Sequence, residues 1–302
     1  MDIILHIGLP KTGSSALQQY LFDNRDWLAG HKVYYPEHVT SKANPKHQWL
    51  TTSILKSEFQ ELQNVLSNSK GYKRVILSTE SISNDLYNYK SEALDEFLSI
   101  LCSFGRLKLC IVDRDKYKWA KSYYKQAILN QDSARMPFYS TADDFSTFVS
   151  DVTISKFMCR AQLLSDIESS FNAPIKRFNY EEHDIVEIAH WLTGLELPQF
   201  TLTNKNDSIS DAAAEVMCQL NAKIVSRREK YAWTKVLLDT CPNSSAVMHS
   251  LSNRADSSTI ASLDTTVLDS IKVRRNPPLS YCDQDILDII GLMRNYLIEF
   301  KS

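Results

Sequence analysis

Three apolar runs along the chain each end on residues able to do chemistry. The first, Ile3-Ile4-Leu5-His6-Ile7, opens into Gly8-Leu9-Pro10-Lys11-Thr12-Gly13-Ser14-Ser15. The second lies in Gly71-Tyr72-Lys73-Arg74-Val75-Ile76-Leu77-Ser78-Thr79-Glu80 and ends in a carboxylate. The third, Leu107-Lys108-Leu109-Cys110-Ile111-Val112, ends in Asp113-Arg114. Short, nearly continuous apolar runs predict strands buried on both faces, as in a parallel sheet with helices between its strands. The pattern therefore predicts an α/β fold of three layers, a central and mainly parallel sheet flanked by helices, plus helical insertions. Ligands of such sheets bind outside the carboxyl ends of the strands. Lys11, Glu80 and Arg114 all fall at such ends, which argues that they share a site.

Elsewhere the strand pattern is interrupted. Residues 36–70 are polar and then helical, and could form part of an acceptor cleft; residues 125–160 read as a second helical insertion, broken at Met136-Pro137-Phe138-Tyr139. Residues 206–302 read as helices separated by a Ser/Asn/Asp-rich stretch, residues 242–270, expected to be a loop or mobile lid. A chain of 302 residues with 43% apolar composition can bury one sizeable core, so a single α/β domain over residues 1–302 is expected. The net charge of −2 gives no support to a nucleic-acid partner. The first strand starts within about two residues of Met1, leaving no room for a signal peptide, and no stretch approaches the roughly 18 apolar residues of a membrane span. A soluble, cytoplasmic protein is expected. The six cysteines, Cys102, Cys110, Cys159, Cys218, Cys241 and Cys282, show no CxxC and no metal-ligand spacing, which predicts buried free thiols and no metal site.

The loop after the first run has the makings of a phosphate cradle, because its backbone N–H groups and the positive end of the following helix favour an anion. The nucleoside-triphosphate loop G-x-x-x-x-G-K-[ST] places its lysine directly after the second glycine. Here Gly8 and Gly13 keep the four-residue gap, but Ser14 fills the lysine position and Lys11 sits inside the loop, followed by the hydroxyls of Thr12, Ser14 and Ser15. A P-loop-type fold adapted to a phosphate-like group, without an obvious triphosphate–magnesium grip, is the expectation.

Leu9-Pro10-Lys11-Thr12-Gly13-Ser14-Ser15 resembles the 5'-phosphosulfate loop of sulfotransferases that use 3'-phosphoadenosine 5'-phosphosulfate (PAPS), whose usual form is PK[ST]G[ST][ST]. That family carries a second signature, an arginine at a strand end and a serine eight residues later, which grip the 3'-phosphate. Arg114 and Ser122 have that spacing. A guanidinium and a hydroxyl so arranged can converge on one phosphate, with arginine giving the bidentate part. Pro174-Ile175-Lys176-Arg177-Phe178-Asn179-Tyr180-Glu181 and Asn206-Asp207-Ser208-Ile209-Ser210 also look like later parts of bacterial members. The chain lacks the glycine-rich RKG-type segment of the cytosolic aryl and steroid enzymes, leaving Lys205, Arg274 and Arg275 as candidates to complete the 3'-phosphate site.

The resemblance implies transfer of a sulfuryl group from PAPS to an acceptor hydroxyl by in-line displacement, releasing adenosine 3',5'-bisphosphate without a metal. It assigns Lys11 to the leaving oxygen, Thr12, Gly13, Ser14 and Ser15 to the 5'-phosphosulfate, and Arg114 with Ser122 to the 3'-phosphate. Glu80 stands where many sugar-directed sulfotransferases carry their catalytic glutamate, which points to a carbohydrate, glycan or small-molecule hydroxyl acceptor. Burial would raise its pKa toward a useful range for a base, although a glutamate after a strand can instead cap the next helix. His47, in a polar loop, is the other candidate base, since imidazole titrates near neutrality. His6 is expected in the core or beside the site, and Trp119, Tyr123 and Tyr124, at helical spacing, mostly in the core. Two other readings stay open: a magnesium-ATP kinase, with Asp113 as metal ligand, and a non-catalytic nucleotide- or glycan-binding module.

Overall fold

Strand β1 (Asp2–His6) has Ile3, Ile4 and Leu5 buried, as a central strand of a covered sheet requires. It pairs in parallel with β3 (Arg74–Ser78) on one side and β4 (Arg106–Asp113) on the other. The two-residue β2 (Val33–Tyr34) and β5 (Ile175–Asn179) form the edges, giving the order β2-β3-β1-β4-β5 with every pairing parallel. This is a three-layer α/β architecture with a central parallel sheet. The computed structural model describes residues 1–37, 44–197, 209–241 and 255–301.

By internal contacts the chain divides into two compact units, Met1–Asp115 with Cys159–Thr203, and Lys116–Met158 with Asn204–Ser302. The first holds the sheet. The two-residue period of a strand places Asp2, Ile4 and His6 on one sheet face. The register sets Ile4 beside Ile76 and His6 beside Ser78 and Cys110. Helix α1 (Ser14–Asp23) packs Leu17 and Leu21 on this face, joined by Ile188, Ala189 and Leu192 of the helix Ile185–Thr193. The helix Ser91–Phe104 buries Ala93, Phe97 and Leu101, one stripe at four-residue spacing. The predicted helical stretch within residues 36–70 contains the helices Trp49–Lys56 and Gln60–Ser67.

The second unit is helical where described. Its helix Lys116–Leu129 buries Trp119, Tyr123 and Tyr124, and the Trp119 ring stacks on Tyr123 at 5.0 Å and on Phe157 at 5.5 Å. The aromatic group is core, as its spacing predicts. The Ser/Asn/Asp-rich stretch needs correction: residues 242–254 lie outside the described residues, but beyond them stand the helix Ser257–Ala261 and the 3-10 turn Thr265–Ser270. Asp256 and Asp264 explain both elements, since each accepts a backbone N–H of the turn it caps. The thiols are all free, but Cys102, Cys159 and Cys282 are exposed rather than buried. Among the described residues no helix is long and apolar enough to cross a membrane.

Candidate functional site

The loop between β1 and α1 is held from three sides within the first unit. From β4, Cys110 and Val112 accept the N–H groups of Ile7 and Leu9 at 3.1 and 3.3 Å, extending the sheet into the loop. From the loop itself, the buried Thr12 hydroxyl donates to Leu9 O at 2.6 Å and lies 3.3 Å from Ser14 Oγ. From beyond β4, Arg114 Nη1 donates to Lys11 O at 2.9 Å. Lys11 and Gly13 both adopt positive φ, 65° and 79°. Turning the chain left-handed twice in three residues makes the backbone concavity that can receive an anion. Gly13 is also packed, since a Cβ there would meet the Tyr180 ring at 3.1 Å. The first turn of a helix leaves its leading N–H groups outside the helical ladder, and in α1 that turn starts at Ser14.

Arg114 is itself oriented. Its guanidinium lies 4.9 Å from the Tyr180 ring centre, and its Nε is 3.6 Å from Glu181. Asp113 is ion-paired with Arg160, whose Nε lies 3.1 Å from Oδ1, and accepts the Arg114 N–H at 2.8 Å, so its carboxylate is already engaged. Lys11 and Arg114, predicted from different strands, are thus brought together.

Glu80 follows β3 at the same sheet edge. Its side chain does not cap the short helix Ser81–Asn84. Instead Oε2 accepts Gln18 Nε2 at 3.0 Å and Oε1 accepts Lys46 Nζ at 2.9 Å. Burial pushes this carboxyl up, but the Lys46 ammonium and the Gln18 hydrogen bond outweigh it and hold the group at about 2. The expected raised value is therefore reversed in direction, and the reason is a lysine from a loop 34 positions away in sequence.

His47 is not a solvated loop residue. It is buried, its Nδ1 accepts the Ser78 N–H at 2.9 Å, and its Nε2 stands 2.8 Å from Pro36 O. The first bond requires an unprotonated Nδ1, so Nε2 carries the proton and donates it to Pro36. Both nitrogens are spent on the backbone, which makes His47 a pin between its loop and β3. Gln18 was not singled out from sequence, although a glutamine in the buried Ser14-Leu17-Gln18-Leu21 stripe of α1 is a signal of its own.

The other candidates separate. Ser15 is half-buried in the first turn of α1. Ser122 belongs to the second unit, half-buried on Lys116–Leu129. In that unit Arg274 is committed to the fully buried Glu215, whose other oxygen accepts Asn276 Nδ2 at 2.8 Å. Arg275 is exposed, and Lys205 lies outside the described residues. No protein-family model, no curated protein and no solved structure matches the chain.

Proposed function

We propose that this chain transfers the sulfuryl group of PAPS to a hydroxyl of a carbohydrate, glycan or smaller acceptor. The observation that carries the reading is the Lys11–Arg114 arrangement: a lysine inside the loop, with its own carbonyl fastened to the strand-end arginine, at the sheet edge that also carries Glu80. Such a loop offers backbone N–H groups to the phosphosulfate and an ammonium to its leaving oxygen. In the transfer the acceptor oxygen bonds to sulfur, the bond from sulfur to the 5'-phosphate oxygen breaks, and the acceptor proton passes to Glu80. Charge grows on the bridging oxygen, where Lys11 acts; donors aimed at developing charge supply most of the rate enhancement in such reactions. Glu80 held at about 2 is a weak base. On this reading it gains basicity only with Lys46 drawn off it by a bound anion or acceptor.

The commitment of Asp113 to Arg160 supports this reading over a kinase, which would want that carboxylate for magnesium. The test is calorimetric titration with adenosine 3',5'-bisphosphate and, separately, magnesium-ATP, followed by incubation with sulfur-labelled PAPS and a panel of sugars. Metal-free binding of the bisphosphate and label transfer are expected. Binding of magnesium-ATP alone would overturn the proposal.

A further inference from the structure

His6 ends β1 directly beneath the loop and is fully buried. Its Nδ1 is 2.7 Å from Ser78 Oγ, and that hydroxyl also receives Gln18 Nε2 at 3.2 Å. Gln18 can only donate there; with the Ser78 hydroxyl donating in turn to His6 Nδ1, the imidazole proton sits on Nε2. In that tautomer the Nε2–H is buried and has no acceptor among the described residues. Burial keeps the ring neutral, lowering its pKa to about 4.

The orphan donor points at the loop. A side chain on Gly8 would begin 2.7 Å from His6 Nε2 and 3.3 Å from Ser14 Oγ, so imidazole and hydroxyl converge on one side of Gly8. A buried donor without an acceptor is costly and asks for a reason. We propose that His6 Nε2–H is an anion-binding donor on the floor of the Gly8–Ser14 loop, completed by an oxygen of a bound tetrahedral oxyanion, sulfate-like or phosphate-like. In the sulfotransferase reading, on which this inference rests for its ligand, that oxygen belongs to the 5' end of the donor. Gln18 joins this donor to the acceptor side, since the same Nε2 that contacts Ser78 also contacts Glu80.

The experiment follows the His6 imidazole nitrogens by NMR in the isotope-labelled full chain, during titration with inorganic sulfate and with adenosine 3',5'-bisphosphate. Protonated Nε2 and bare Nδ1 are expected in the free protein, with a shift of the Nε2–H signal on adding either anion. In parallel, His6→Phe is expected to bind the bisphosphate roughly 10- to 100-fold more weakly while binding adenosine 3'-phosphate, which has no 5' anion, as wild type does. Bisphosphate binding that leaves the Nε2–H signal unmoved, or equal weakening for both nucleotides, overturns the inference and leaves the sulfotransferase reading standing. Sulfate that moves the signal in a protein that binds no nucleotide keeps the donor and sinks that reading. No response to either anion overturns the inference outright, whether or not the Phe variant folds.

Discussion

The two ends of one sheet face are polar in opposite ways. At the amino end, Asp2 is ringed by cations: Lys108 at 2.9 Å, Arg106 at 2.9 Å and Arg74 at 3.8 Å. Lys108 and then Arg106 hold its carboxyl below the usual range, against the effect of burial. Arg74 also donates to the carbonyls of Trp191 and Leu192, satisfying the end of the helix Ile185–Thr193. At the carboxyl end the layer beneath the loop is neutral, His6, Ser78 and Gln18, and it runs out to the pair Glu80–Lys46. The amino end also has an open groove of about 570 Å³ lined by Asp2, His31, Lys73, Arg74 and Arg106. Asp2 and the cations Arg74, Arg106 and Lys108 answer one another. The carboxyl end keeps, at His6 Nε2, a group that nothing among the described residues answers. We read the amino end as a structural joint and the end with the unanswered His6 donor as the candidate site.

Substitutions at the two ends should therefore separate activity from stability. The largest effect is expected from Lys11→Ala, which should lower the sulfuryl-transfer rate by about 10²- to 10³-fold with little change in melting temperature. A variant with wild-type turnover would remove Lys11 from the chemistry. His47→Ala should destabilise the fold by about 3 kcal/mol in denaturant unfolding, because it empties a buried site and strands the Ser78 N–H and the Pro36 carbonyl. The surviving folded fraction should keep its pH–rate profile, as a backbone pin would; loss of a neutral-range limb would instead make His47 the base.

At the amino end, Asp2→Ala should cost about 2 kcal/mol of stability and nothing in turnover per folded molecule. Gly194→Ala should cost about 1 kcal/mol, since its φ is +70° and a Cβ there would meet Arg74 Nη1 at 2.7 Å. A loss of nucleotide affinity in either would erase the distinction between the two ends.

The subtlest expectation concerns Glu80. Its native pKa lies below its ordinary 4.5, so its ionisation stabilises the fold above about 4.5, and that contribution drains away as pH falls toward 2. In Lys46→Met the ammonium is gone and burial dominates, so the carboxyl should titrate above its ordinary value, followed by carboxyl-carbon NMR. A pKa that stays at about 2 would show that Lys46 is not what holds it.

These contrasts were unevenly legible in the sequence. β1, β3 and β4 stood out because central parallel strands are buried on both faces and read as apolar runs. β5 did not, since Lys176 and Arg177 of this edge strand are exposed, and neither did β2, which is two residues long. The alignment of Lys11, Glu80 and Arg114 on one sheet edge followed from the strands alone. What they touch did not: the Glu80 pKa is set by Lys46, and the tautomer of His47 by Ser78 and Pro36, partners that only the folded chain supplies. His6 was visible as a polar residue in an apolar run, but its direction depends on Gln18 and Gly8.

The most direct test is metal-free calorimetric titration of adenosine 3',5'-bisphosphate into wild type, Lys11→Ala and Arg114→Ala. Binding by wild type, weakened in both variants and most in Arg114→Ala, is the predicted result, because Arg114 holds the loop carbonyl as well as facing the ligand end of β4. Absence of metal-free binding, with magnesium-ATP bound instead, would contradict the account.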